Sequence, residues 1–186
     1  MRKTCRRSAR FAASSLILAG ALFAAAGQAA SLRNEANGGI SLRAGSGDHF
    51  ERYELAWESP SLWSHRFSGS NGRLDLVGEL GAAYWAADHS PGPSHAWQFS
   101  AIPFLRWTID QRFYIEAGVG ATVFTQTRFA GKEMSSAFQF GDHLGLGVYL
   151  SESSRVGLRL SHFSNADIKT PNPGLNIVQL TYTHQY

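Results

Sequence analysis

"RVGLRLSHFS", residues 155–164, decides how this chain must fold. Val156, Leu158 and Leu160 alternate with Gly157, Arg159 and Ser161, the period-two pattern of a strand with two unlike faces. His162 and Ser164 then continue the apolar row, not the polar one. Seven other segments alternate in the same way: "GGISLRAG" (38–45), "RYELAWE" (52–58), "RLDLVGELGAAYW" (73–85), "AWQFSAIPFLRW" (96–107), "RFYIEAGVGATVF" (112–124), "AFQFGDHLGLGVYL" (137–150) and "NIVQLTYTHQY" (176–186). No segment shows helical periodicity. Pro103 falls inside the fourth strand, where it removes a ladder hydrogen bond, so a bulge or kink is expected there.

The connections sort by length. Those near 109–112 and 151–154 are short, and those near 87–95, 125–137 and 165–173 are longer and polar. The connection over about 59–72 is long and breaks the alternation. An even number of strands with short turns at one end and long loops at the other describes an all-β, eight-stranded, antiparallel up-and-down transmembrane β-barrel. The alternative is a soluble ligand-binding barrel, whose apolar row would point inward. The polar row decides between them. It carries Arg43, Glu54, Glu79, Arg106, Glu116 and Arg159 together with many glycines, a set that can fill a narrow lumen with mutually paired charges. Aromatic residues near the strand ends fit a membrane girdle. The final Tyr186 resembles the terminal signature of bacterial outer-membrane proteins.

The first thirty residues stand apart. Arg2, Lys3, Arg6, Arg7 and Arg10 precede the apolar "FAASSLILAGALFAAA", and small residues follow up to Ala30. This is read as a secretory signal peptide (1–30), leaving a barrel over 31–186. The segment holds five of the 17 Lys and Arg and none of the 14 Asp and Glu, so the remainder carries a net charge of −2. Nucleic acid is thereby excluded as a partner. The single cysteine, Cys5, leaves with the signal, so no disulfide is expected.

His162 and Ser164 facing hydrocarbon would be costly unless they sit at the membrane rim or act on something in the membrane. If the seventh strand runs outward, the pair lies at the outer-leaflet boundary. The seventh and eighth strands turn near residue 169, which places Asn176 opposite His162. The sixth and seventh turn near 153, which places Asp142 opposite Ser164. A serine beside an imidazole that a third group orients is the arrangement that makes a hydroxyl nucleophilic. Taken alone, Ser164-Asn165 before a loop is also ordinary turn chemistry. His143 is expected in the lumen and His184 at an interface. "AGSGDHF" (44–50) lacks phosphate-loop spacing, and His65, His89 and His95 lack metal-ligand spacing.

"HFSNADIKTPNPG" (162–174) resembles the His-x-Ser-Asn motif near the C-terminus of PagL-type lipid A 3-O-deacylases. The resemblance spans the chain beyond the signal. It implies an outer-membrane serine esterase that hydrolyses the 3-linked acyl ester of lipid A in the outer leaflet, without cofactor or metal. By the same resemblance Ser164 is the nucleophile and His162 the general base, and Asn165 with the backbone N–H of Asp167 serves the oxyanion. The family's third member is a glutamate fourteen residues after the histidine, and here that position is Asn176. Three readings stay open: Asn176 orients His162, Asp142 does so instead, or the enzyme is weakened. The partners implied are lipopolysaccharide as substrate and outer-membrane lipid; a homodimer is left open. Lys169 and Arg128, in outer loops, are candidates for meeting lipid A phosphates. The rival from another class is a small non-enzymatic outer-membrane barrel of structural or adhesive type. A barrel that transfers acyl chains to lipid A would differ by raising the mass of its substrate.

Overall fold

Strict alternation of apolar and polar residues yields strands whose two faces go to different solvents. A computed structural model describes residues 37–68, 72–88 and 91–186; the expected signal segment lies outside them. The strands are β1 (Gly39–Gly47), β2 (Phe50–Glu58), β3 (Trp63–Arg66), β4 (Arg73–Ala87), β5 (His95–Ile109), β6 (Phe113–Phe124), β7 (Arg128–Phe129), β8 (Lys132–Glu133), β9 (Phe138–Ser151), β10 (Ser154–Ser164) and β11 (Leu175–Gln185). Eight of them, β1, β2, β4, β5, β6, β9, β10 and β11, form an antiparallel ring. The β1–β11 and β2–β4 pairings close it.

Two additions lie outside that ring. The connection over 59–72 is long because it contains β3, which continues the line of β2 along β4. β2 pairs from Phe50↔Ala87 to Glu58↔Glu79, and β3 resumes at Trp63↔Leu76. Ser59 and Leu62 bracket the interruption, donating backbone hydrogen bonds to Gly78 O and Leu76 O, both at 2.8 Å. Beyond β3, Phe67 N–H donates to Gly72 O at 3.2 Å. All four residues of β3 are exposed, so no alternation marked it in the sequence. The second addition is the β7–β8 hairpin within the 125–137 loop.

Pro103 does not produce the expected bulge. It pairs regularly with Gly78 on the β4 side. On the β6 side the ladder breaks, then resumes in the same register, from Ala101↔Ala121 to Phe104↔Gly118. The missing N–H removes a rung without inserting a residue. A register shift occurs instead between β9 and β10, from Ser154↔Ser151 to Arg155↔Tyr149.

Burial settles which face is which. Leu42, Leu144 and Leu158 are 58, 59 and 53 % exposed, whereas Arg106 and Asp75 are fully buried. A water-soluble barrel would show the reverse. The outward belt carries Trp57, Trp107, Phe113 and Tyr186 near the short-turn end, and Tyr53, Trp97, Phe99 and Phe138 near the long-loop end. These two aromatic bands bracket an aliphatic one, the pattern of a membrane-spanning barrel.

Inside, the six lumen charges named from sequence join Arg52, Glu58 and Arg155 in one alternating ladder. Arg52 pairs with Glu54, which also takes Arg43. Arg43 reaches Glu79, which takes Arg159 at 2.9 Å. Arg159 reaches Glu116 at 2.6 Å, Glu116 takes Arg106, and Arg106 shares Glu58 with Arg155. Above the ladder, at the long-loop end, Phe50, Trp85, Phe124, Phe129, Met134, Phe163, Leu175 and Ile177 form an apolar plug. Arg52 joins the two layers, its guanidinium 5.4 Å from the ring centroids of both Trp85 and Phe163.

Glu79→Ala takes one of two carboxylate partners from both Arg43 and Arg159 in a closed lumen. It should destabilise the folded barrel by about 3–5 kcal/mol in urea unfolding from lipid vesicles. Arg128→Ala breaks only the exposed pair with Glu133 and should cost under about 1 kcal/mol. Equal losses in the two variants would show that the ladder does not hold the lumen.

Candidate functional site

The site lies where β10 meets the long-loop end. In β10, Phe163 points inward into the plug, so alternation turns His162 and Ser164 outward on either side of it. His162 sits between two register partners, Asn176 on β11 and Asp142 on β9. The first pairing is the one expected from hairpin geometry. The second differs: Asp142 lies opposite His162, not Ser164, whose partner is Phe140. The hairpin pairs Ser154 with Ser151, one residue away from the expected register, and the irregularity at Ser154/Arg155 adds one more, so the two-residue total keeps Asp142 on the same face.

His162 Nδ1 and Asn176 Oδ1 are 2.6 Å apart. The amide oxygen can only accept, so Nδ1 carries the proton and Nε2 keeps its lone pair. Ser164 is half-buried, two residues further along the same face, and is not hydrogen-bonded to His162 in this structure. Side chains at i and i+2 of a strand are close enough for a rotamer change to bring hydroxyl and imidazole together, as binding of a substrate often does. Asp142 makes no hydrogen bond or ion pair with His162. Both line an open groove of about 460 Å³ on the outer wall, with Leu144, Leu160, Asn176 and Val178.

Asn165 is turned the other way. It is buried, and its amide donates to Met134 O at 3.0 Å and to Lys169 O at 2.9 Å. It ties the 125–137 loop to the 165–174 loop. Its backbone N–H is also engaged, donating to Asn172 Oδ1 at 3.1 Å. Asn172 in turn donates to Asp167 Oδ1 at 3.0 Å. Ala166 and Asp167 both hold left-handed backbone conformations, with φ of 52° and 59°. Among the described residues, neither of their N–H groups has an acceptor. A turn with two free amides, two and three residues past Ser164, can receive an anionic oxygen.

Of the candidate cations, Arg128 is paired with Glu133 at 2.8 Å in the β7–β8 hairpin, and Lys169 is exposed in the loop after the site. His143 lies in the lumen, its Nδ1 2.7 Å from Ser161 Oγ, and that oxygen also accepts from Gln179 Nε2 at 2.8 Å. This buried trio braces β9, β10 and β11 directly behind the outward-facing residues. Met134 and Asn172 were not legible as site neighbours. Both act through loop-to-loop contacts, and only the clustering of asparagines around "SNADIKTPN" hinted at a hydrogen-bonded loop.

The family model described as "Lipid A 3-O-deacylase (PagL)" matches residues 51–185. A lipid A deacylase PagL from Bordetella bronchiseptica is 64 % identical over 149 residues, 80 % of this chain and 84 % of that one. A lipid A deacylase PagL from Pseudomonas aeruginosa is 30 % identical over 132 residues, 70 % of this chain and 75 % of that one. Among solved structures, the crystal structure of the outer membrane enzyme PagL superposes with a TM-score of 0.69 at 26 % identity, covering 80 % of this chain and 99 % of that one. This chain belongs to the lipid A 3-O-deacylase (PagL) family of outer-membrane β-barrel enzymes.

Proposed function

We propose that this protein hydrolyses the acyl ester at the 3-position of lipid A from within the outer leaflet, with Ser164 as nucleophile and His162 as base. The observation that carries this reading is the outward-facing imidazole whose Nδ1 is held by Asn176, two residues from an outward-facing serine at the rim of an apolar belt. A lipid ester reaches such a site laterally, without leaving the membrane.

His162 Nε2 takes the Ser164 proton as Oγ attacks the ester carbonyl. The resulting oxyanion is met by the free N–H groups of Ala166 and Asp167. Because the side chain of Asn165 is spent on the two loops, it supports the site through the loop and not by direct contact. The imidazolium returns its proton to the departing 3-hydroxyl of the sugar, leaving an acyl-Ser164 ester. Water activated by His162 then releases the fatty acid and regenerates the serine.

Asn176 occupies the family's acid position. It fixes the tautomer, but as an amide it adds no negative charge beside the imidazolium. In serine proteases, an acid-to-amide change in the triad costs about 10⁴ in turnover, largely by enforcing the wrong tautomer. Here the amide oxygen faces Nδ1, so the tautomer penalty is avoided and only the lost charge remains.

Two experiments test the reading. Lipid A from a host expressing the wild type should lose the mass of one 3-hydroxyacyl group, and Ser164→Ala should leave it unchanged. A wild type that alters no mass, or one that raises it, contradicts the assignment. Asn176→Ala should lower kcat by roughly 10- to 100-fold, on the scale of a misoriented catalytic base, whereas Asn176→Glu should keep or raise it. Unchanged turnover in Asn176→Ala would remove Asn176 from the orienting role.

A further inference from the structure

We infer that Gly174 is a positioning residue for the imidazole of His162, acting as a stop for the ring edge that Asn176 does not hold. This rests on the proposed roles of His162 and Ser164. Gly174 ends the 165–174 loop and leads into β11, with a φ of +65°. A Cβ placed there would lie 2.7 Å from His162 Cε1 and 3.5 Å from each ring nitrogen. Near-equal distances to the two nitrogens mean that the glycine faces the Cε1 edge between them. One nitrogen is bound to Asn176 Oδ1; the other is the proposed base.

The ring is therefore located from two sides, by a hydrogen bond at Nδ1 and by backbone contact at Cε1. Ordinary van der Waals contact begins near 3.4 Å, so a methyl group at 174 would drive the ring back by roughly 0.7 Å. That movement strains the Nδ1 bond and carries Nε2 away from the Ser164 side. The loop's return into β11 thus does two things at once: it reverses the chain, and it brings a residue without a side chain against the imidazole. "PNPG" consequently reads as part of the site and not only as a turn.

Gly131 supplies the matched control. It also has a left-handed backbone, with φ of +73°, but a Cβ there would meet only Pro91, whose Cδ lies at 3.5 Å, and no proposed catalytic group within 4 Å. A methyl there carries the backbone strain without the imidazole contact. The test compares wild type, Gly174→Ala and Gly131→Ala, reconstituted in vesicles containing lipid A. It reads kcat, KM and the rate at which a fluorophosphonate labels Ser164, with Ser164→Ala as the unlabelled reference. Labelling is scored on the folded barrel, separated from unfolded chain by its gel mobility without heating.

Gly174→Ala should lose roughly 10- to 100-fold in kcat and in labelling rate, with KM unchanged. Gly131→Ala should match the wild type. Where the alanine variant does not fold, Gly174→Asn carries the same Cβ on a residue that tolerates left-handed φ. Wild-type rates in a folded Gly174 variant, or a loss confined to KM, would overturn the positioning role. An unlabelled wild type that still deacylates lipid A would instead overturn the Ser164 reading, and the positioning role with it.

Discussion

Nine charges locked together in a closed lumen are the constraint on which the rest of this barrel depends. Five arginines and four glutamates alternate from Arg52 to Arg155, and removing any one takes an ion-pair partner from its neighbours. A strand with Arg159 on one face must put Leu158 and Leu160 on the other. The ladder therefore fixes the outward row as surely as the apolar row fixes the membrane. A buried ion pair is weak evidence of net stability, because desolvation cancels much of its attraction. Its stronger effect is on register: a one-residue slip of a strand that carries a ladder charge would turn that charge into lipid and break its ion pairs.

The site inherits its direction from that register. Phe163 enters the apolar plug beneath the outer loops, and Arg52 packs against the same ring, so the end of β10 is held by both layers of the interior. His162 and Ser164 flank Phe163 and have no freedom but to face the membrane. On the proposed mechanism, an outward placement that would be a liability on a soluble barrel makes this pair accessible to a lipid ester. The hydrogen bond that His162 Nδ1–H donates to Asn176 Oδ1 leaves Nε2 as the nitrogen without a proton in the neutral ring. An amide oxygen suffices for that, so the proposed site does not require a carboxylate at 176 to set the tautomer.

Much of this was legible because period-two alternation is a strong signal when one face is charged and the other apolar. All eight barrel strands and six of the nine lumen charges follow from it. The pairing of His162 with Asn176 was legible because β10 and β11 run in unbroken register across their loop. The partner of Asp142 was displaced by two residues, one from the exact centre of the β9–β10 turn and one from the irregularity at Ser154/Arg155, neither of which leaves a mark in composition. β3 was hidden because Trp63–Arg66 are exposed throughout and show no alternation. The inward turn of Asn165 was equally hidden: its partners, Met134 O and Lys169 O, are backbone atoms, which any residue type supplies. The role of Gly174 was hidden as well, because only the pairing of β10 with β11 brings the His162 imidazole against it.

The central claim is that the outward-facing Ser164 forms the acyl-enzyme. It is tested most directly by quenching the reconstituted barrel in acid during turnover of lipid A and mapping its peptides by mass. The account predicts one added 3-hydroxyacyl group on the peptide containing Ser164, absent when His162 is replaced by alanine. An acyl group on any other residue, or active turnover with no acylated peptide even under rapid quenching, would contradict it.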